Sequence, residues 1–311
     1  MEAAAFFARR QNSEASTSGR FLEPWCFVGF LCRSIVAMRT KLQPPKPKRV
    51  APAKRPRARK LSSARFPILE YDPARTAVIE PHFVHKPREV PQHCVLCFFQ
   101  DVIDDVCKSA RVLRMPRGEE GEHPLYELEF GERRIIVRQP RVGAPMSAAN
   151  LESLIAIGCR KFIACGGAGV LVPKVVLGHL VVPTSAIRDE GTSYHYLPAG
   201  REVAPSPRAL AAIKSVLEAN RHDYLLGKTW TTDALYRETR AKVERRKREG
   251  CLTVEMEAAA FFAVAKFRGV EFGQILYAGD DLSGEWDHRN WMKHEIRERL
   301  FHLSAEACLK L

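Results

Sequence analysis

From His93 onward, short runs of β-branched and aromatic residues alternate with longer stretches whose apolar positions recur at helical spacing. Strands are predicted over 94–99, 126–130, 134–138, 161–165, 179–187, 225–231, 252–254 and 272–278, and helices over 147–157, 207–219, 236–248, 257–267 and 291–310. The alternation predicts a single α/β domain over 93–311, a central mixed β-sheet flanked by helices. Ligands of such domains sit beyond the carboxyl ends of the strands, so residues that follow strands are the natural candidates for chemistry.

Upstream of the domain the pattern fails. Residues 41–65 (KLQPPKPKRVAPAKRPRARKLSSAR) are too rich in proline and basic side chains to bury the apolar surface that would offset chain entropy. Residues 1–65 are therefore expected to form a disordered basic arm, and 66–92 a linker into the domain. The arm holds 15 Lys and Arg against three acidic residues, and the rest of the chain 34 against 33, so the net charge of +13 is almost entirely the arm's. Polyanion affinity, if the chain has any, belongs there and not to the folded part. Such an arm suits mitochondrial or nuclear targeting, loose nucleic-acid contact, or solvation alone. The octapeptide MEAAAFFA occurs at 1–8 and again at 256–263, and only the second copy has a strand before it and an apolar helix around it to position a site.

Nine scattered cysteines without framework spacing point to a reducing compartment, and the expected location is cytoplasmic. Cys94-x-x-Cys97 lies inside a predicted strand with no second pair to complete a zinc site, so no metal is expected. The most apolar stretch of the arm, 25–38, is broken by Arg33 and falls short of the roughly 20 residues a membrane span requires.

Three segments carry candidate chemistry. In Lys161-Phe-Ile-Ala-Cys-Gly-Gly-Ala-Gly-Val170, a strand runs into Gly166, Gly167 and Gly169; the glycines suit a tight turn whose N–H groups face an anion or a sugar oxygen, or simply close packing. In Leu252-Thr-Val-Glu-Met-Glu-Ala-Ala-Ala, Glu255 and Glu257 sit where a strand gives way to a helix. A carboxylate there can accept both hydroxyls of a vicinal diol while Met256 covers the sugar; alternatively both acids complement the helix N-terminus. In Gly273-Gln-Ile-Leu-Tyr-Ala-Gly-Asp-Asp-Leu-Ser-Gly284, a buried strand ends at Asp280 and Asp281. A strand-end aspartate can hand a proton to a leaving group, or bond its own turn.

Taken in order, Arg141-Val-Gly-Ala-Pro, Gly166-Gly-Ala-Gly169, Gly178-His-Leu-Val-Val-Pro-Thr-Ser, Val254-Glu-Met-Glu-Ala-Ala-Ala and Ala278-Gly-Asp280 resemble the nucleoside phosphorylase/uridine phosphorylase family, over roughly Cys94 to the C-terminus. The resemblance implies an enzyme that cleaves an N-glycosidic bond with phosphate as co-substrate, without a cofactor, usually as a homo-oligomer. It implies that Glu257 binds the ribose diol, that Met256 packs on the sugar, that Glu255 supports the site and that Asp280 protonates or hydrogen-bonds a departing purine at N7. Leu235 and Tyr236 match the segment that covers the base, with leucine where an aromatic is usual. Pyrimidine-specific members carry Gln and Arg shortly after that segment, where this chain has Thr239 and Ala241, which favours purine.

The phosphate ligands depart from the family. Ala164 and Gly167 stand where an arginine and a hydroxyl residue are usual, and 98–103 lacks the Gly-Asp-Pro-x-x-Arg element. Gly166 and Gly167 with Arg138 and Arg141 are the candidate phosphate site; Arg188 or an arginine of a neighbouring subunit could substitute, and otherwise water is the nucleophile. Phosphorolysis of a purine nucleoside is the expectation. The rivals are a nucleosidase, a non-catalytic nucleoside-binding protein and an RNA-associated protein led by its basic arm.

Overall fold

The computed structural model describes residues 63–115 and 124–311; nearly all of the basic arm, with the first octapeptide copy, lies outside them. In chain order the elements are α1 (Pro81–Val84), β1 (His93–Cys97), α2 (Gln100–Val106), β2 (Arg111–Leu113), β3 (Leu125–Phe130), β4 (Arg133–Arg138), α3 (Ala144–Ile157), β5 (Lys161–Val170) and β6 (Leu180–Asp189). There follow β7 (Glu202–Val203), α4 (Pro207–Ala219), β8 (Tyr224–Thr232), α5 (Arg240–Arg248), β9 (Cys251–Glu255), α6 (Ala258–Arg268), β10 (Glu271–Asp281) and α7 (His294–Leu309). The α/β architecture with a mixed sheet is as the hydrophobic pattern predicts.

Strands β10, β6, β8, β9 and β5 pair in sequence, and β10 also pairs with β5, so these five close on themselves. From β5 the sheet continues outward through β1, β4, β3 and β2. The partners β1–β4, β1–β5, β10–β5, β6–β8 and β8–β9 are parallel, whereas β10–β6, β5–β9, β3–β4 and β2–β3 are antiparallel.

Alternate residues of the central strands face opposite layers. Ile163, Cys165, Ile275 and Tyr277 pack towards α4 and α7, and Phe162, Ala164 and Phe272 towards α3 and α6. Helix α6 is apolar all round because it is covered on all sides, with Ala258 to Ala265 buried without exception. Its alanines permit close approach to the sheet, and the Phe261 ring stacks on Phe272 at 4.8 Å. Each fully buried phenylalanine contributes about 2–3 kcal/mol of apolar burial. Ahead of the sheet, the segment from 63 lies on the same body: Glu80 pairs with Arg268 at the end of α6 at 3.5 Å, and the Arg75 guanidinium lies over the Phe267 ring.

Three differences of boundary from the sequence pattern bear on the cavity. β5 does not end at Cys165 but continues through the glycines to Val170, because β10 and then β9 supply ladder partners along its whole length. The predicted helix 236–248 is split: Leu235–Arg237 is a 3-10 turn, Thr239 is extended (φ −67°, ψ 154°), and α5 begins at Arg240. α7 begins at His294, which releases Trp291 to fold inward. The short elements α2, β2 and β7 carry too little periodic signal to be read from sequence.

Candidate active site

The C-terminal ends of β5, β9 and β10 meet around a cavity of about 340 Å³, within the size range of small-molecule sites. What brings them together is a register shift. Between Ala278 and Asp281 β10 has two residues where β5, between Ala168 and Val170, has one, so Gly279 and Asp280 bulge from the ladder. A bulge of this kind re-aims a side chain, and Asp280 lines the cavity as a result. Opposite the bulge, Gly169 lets β9 and the loop after β10 approach: a Cβ there would lie 2.6 Å from Leu282 and 3.0 Å from Val254.

The two adjacent aspartates have separate tasks. Asp281 pairs with Arg289 and accepts the Ser283 N–H at 2.7 Å, and its backbone exchanges hydrogen bonds with Asp287. Those contacts hold its carboxyl below the ordinary range, burial being outweighed by Ser283 and Arg289. Asp280 is left to the cavity, steadied by Trp286, whose indole N–H donates to Oδ2 at 2.8 Å.

The two glutamates divide in the same way. Glu255 Oε2 accepts the N–H groups of Glu257 (2.7 Å) and Ala258 (2.6 Å), complementing the start of α6, while Oε1 accepts the Thr231 hydroxyl at 2.6 Å. Glu257 turns towards the loop after β4, where the Gly143 N–H donates to its Oε1 at 2.6 Å. That loop is held in an uncommon backbone state: Arg141 has φ +72° and Gly143 φ +98°, and Ser147 Oγ donates to the Arg141 carbonyl at 2.6 Å. At Gly143 a side chain would be strained, which accounts for glycine in Arg141-Val-Gly-Ala-Pro. Burial raises the Glu257 carboxyl to about 8, with the Glu255 charge adding to the shift, and burial also raises Glu255.

Of the residues expected from sequence, Glu255, Met256, Glu257, Asp280, Leu235, Gly166 and Gly167 line this cavity together. Tyr236 does not; it is 92% exposed. Gly166 and Gly167 lie within β5 and form no turn; what their missing side chains allow is packing, since a Cβ would meet Phe98 at 3.1 Å and Trp291 at 3.2 Å respectively. Arg138 and Arg141 are not lining residues: the Arg138 guanidinium donates to Asn150 Oδ1 at 2.7 Å. Arg188 holds the Ser193 hydroxyl and the Pro198 carbonyl, again outside the cavity lining. The described residues contain no cluster of His, Cys, Asp and Glu that could hold a metal ion, and no helix among them is long and apolar enough to cross a membrane.

Several lining residues were invisible to sequence reasoning. Arg297, on α7, is 8% exposed and contributes the guanidinium of the lining; it lies over Phe99 and Trp291, donates to Tyr277 Oη at 3.3 Å and contacts both Asp101 oxygens at 3.2 Å. Gln274, in register with Ala164, is buried with Oε1 lacking a hydrogen-bond partner among the described residues. Glu238 enters from the turn after Leu235–Arg237. Glu238 alone had a local signal, three residues beyond Leu235.

Comparison with known proteins agrees with this architecture. The profile of the phosphorylase superfamily matches residues 92–308. Guanosine phosphorylase of Halorubrum lacusprofundi is 29% identical over 182 residues, covering 58% of this chain and 74% of that protein. Uridine phosphorylase of Treponema pallidum is 28% identical over 222 residues, covering 68% and 75%. Among solved structures, purine nucleoside phosphorylase from Toxoplasma gondii superposes with a TM-score of 0.61 at 18% identity, over 71% of this chain and 92% of that one. AMP nucleosidase from Bacteroides thetaiotaomicron gives 0.58 at 23% identity, over 70% and 87%. The chain belongs to the phosphorylase superfamily, with the fold of the nucleoside phosphorylases.

Proposed function

We propose that this protein is a purine nucleoside phosphorylase, which transfers ribose from base to phosphate. One observation carries the reading: Glu257 and Asp280 face a single cavity, while the acid beside each of them is occupied by backbone and structural contacts. Glu257 accepts the ribose hydroxyls, Met256 covers the sugar, and Asp280 meets N7 of the purine. As the C1′–N9 bond lengthens, its electron pair moves onto the base, a proton reaches N7 from Asp280, and a phosphate oxygen bonds to C1′. Neutralising the leaving base and fixing the sugar lower the barrier of such an oxocarbenium-like reaction. The guanosine phosphorylase relative supports purine as the base.

Phosphate needs positive partners, and the strand positions that would supply them hold Ala164 and Gly167. In this reading Arg297 replaces them, reaching in from α7, with Gln274 also lining the cavity. Arg297→Leu is expected to raise the phosphate KM at least about tenfold, the loss of one charge-assisted contact, with a much smaller change in nucleoside KM. A parallel rise in both constants would count against it. Hydrolysis is the second reading, favoured by the Asp101 carboxylate that already partners Arg297. Incubation with a nucleoside panel, with and without phosphate, separates them: base release that requires phosphate and yields ribose 1-phosphate establishes phosphorolysis, and release without phosphate establishes hydrolysis. Members of this family commonly oligomerise, and we extend that to this chain, with exposed Val142, Tyr236 and Trp286 as the apolar surface for a second copy.

A further inference from the structure

Gln274 lines the cavity, is 2% exposed, and its Oε1 accepts no hydrogen bond from any described residue. Buried amide oxygens are nearly always paired, so one left open in a binding cavity calls for a ligand that brings a hydrogen. Its position narrows the choice of ligand. On β10 it stands in register with Ala164 of β5, the strand position that holds no cation for an anionic nucleophile.

Charge alone selects weakly at this end of the cavity. Arg297 already contacts both Asp101 oxygens at 3.2 Å, so its charge is largely offset, and the rings of Phe99 and Trp291 lie against it. Anions of equal charge are then told apart by their pattern of donors and acceptors. The carboxylates of the lining repel any oxyanion, and among the described lining residues Gln274 is the only neutral side chain with an oxygen acceptor. Its amide offers both an acceptor and N–H donors. Hydrogen phosphate matches it twice, since one oxygen takes an N–H while the hydroxyl donates to Oε1. Sulfate has the same double charge and nearly the same shape but no hydrogen, and would set lone pair against lone pair. Water, like hydrogen phosphate, has an O–H to give.

We propose that Gln274 determines which nucleophile the enzyme accepts: its Oε1 takes the O–H hydrogen of the attacking species, so the site admits hydrogen phosphate and rejects an oxyanion that carries no hydrogen. This rests on the cavity being a site of N-glycosidic cleavage, as proposed above. The hydrogen stays on its oxygen, and one of the other three phosphate oxygens bonds to C1′. Gln274 thereby fixes the rotation of the anion as well as its identity.

The test uses the full-length protein in mildly alkaline buffer, with sulfate as inhibitor and arsenate, a tetrahedral anion that keeps its hydrogen, as control. In the parent, the inhibition constant of sulfate against phosphate is expected to lie at least about tenfold above the phosphate KM, while arsenate replaces phosphate with a KM within a few-fold. Sulfate that competes as tightly as phosphate binds overturns the proposal without any variant. Gln274→Met keeps the length of the side chain and removes acceptor and donors. It is expected to raise the phosphate KM about tenfold, with the sulfate constant and the nucleoside KM changing little. A parallel rise in phosphate and nucleoside KM, in a variant whose Tm matches the parent's, overturns it too. If base release needs no phosphate, phosphorolysis has failed and the role of Gln274 is read on water: kcat of Gln274→Met then falls at least about tenfold at unchanged nucleoside KM, and an unchanged kcat overturns the proposal. If no nucleoside is cleaved, calorimetric titration of phosphate and sulfate into the parent decides: phosphate binding at least about tenfold tighter upholds the selectivity, and equal binding or none overturns it.

Discussion

Asp280→Asn is expected to lower turnover by about 10²–10⁴-fold, the usual contribution of a positioned proton donor, while the nucleoside KM changes little. The asymmetry follows from the substitution. An amide keeps the shape of the side chain and can still accept the Trp286 indole N–H through its oxygen, so the loop 281–287 and its Arg289 pairing are undisturbed. It can also donate to N7 in the ground state, which preserves binding. It cannot release a proton as the base departs, so what is lost exists only in the transition state. Asp281→Asn should act differently: it removes the partner of Arg289 and loosens the loop that holds Trp286, so it shows as lowered stability. Measuring kcat, KM and Tm for both variants separates the two aspartates. Turnover within a few-fold of the parent in Asp280→Asn would remove Asp280 from the chemistry.

Much of the fold was legible because its signals are local. The apolar runs of β1, β5, β8 and β10 and the alanine-rich α6 announce themselves within a few residues. The junctions around the cavity were legible too, since glutamates or aspartates following a strand are sparse and chemically conspicuous. Which member of each pair is tied up by structural contacts was not legible from local pattern, because that depends on partners outside the motif: Thr231 for Glu255, Gly143 for Glu257, Arg289 for Asp281. For each pair, competing local readings proved to be shared between neighbours. Glu255, though it lines the cavity, complements the helix and Asp281 bonds its turn, which leaves the Glu257 and Asp280 carboxyls with fewer structural contacts.

The end of β5 was placed too early for a related reason, and of the two readings of its glycines close packing is the one observed. Glycine after an apolar run suggests a turn, but tertiary pairing with β10 and β9 keeps the chain extended through Gly169, and the small residues serve close approach. Arg297 had no sequence signal at all. It lies 133 residues beyond Ala164, on a helix whose pattern reads as ordinary, and only packing of α7 against Phe99 and Tyr277 brings it to the cavity.

Glu257→Gln is expected to abolish most activity and to stabilise the protein. Activity falls because one of the two carboxyl oxygens facing the ribose hydroxyls becomes an NH2 group that cannot accept them, a loss of about 10²–10³-fold in kcat/KM. Stability moves the other way because the parent carboxyl is costly to ionise where it lies. Its folded value, raised from 4.5 to about 8, means that the folded state holds its proton more tightly than the unfolded chain does. The contribution of this one group to folding stability is therefore greatest at or below about pH 4.5, declines as pH rises towards 8, and is lost above that. Glutamine keeps the acceptor for the Gly143 N–H, sheds the ionisable group and relieves Glu255 of a neighbouring charge. A gain of about 1–3 kcal/mol at pH 8, or several degrees in Tm, should shrink towards zero by pH 4.5. Thermal melts of both proteins across that range test the sign. A variant that is inactive and also less stable at pH 8 would show that Glu257 is held ionised as a structural group, with its charge satisfied by the fold and not reserved for a ligand.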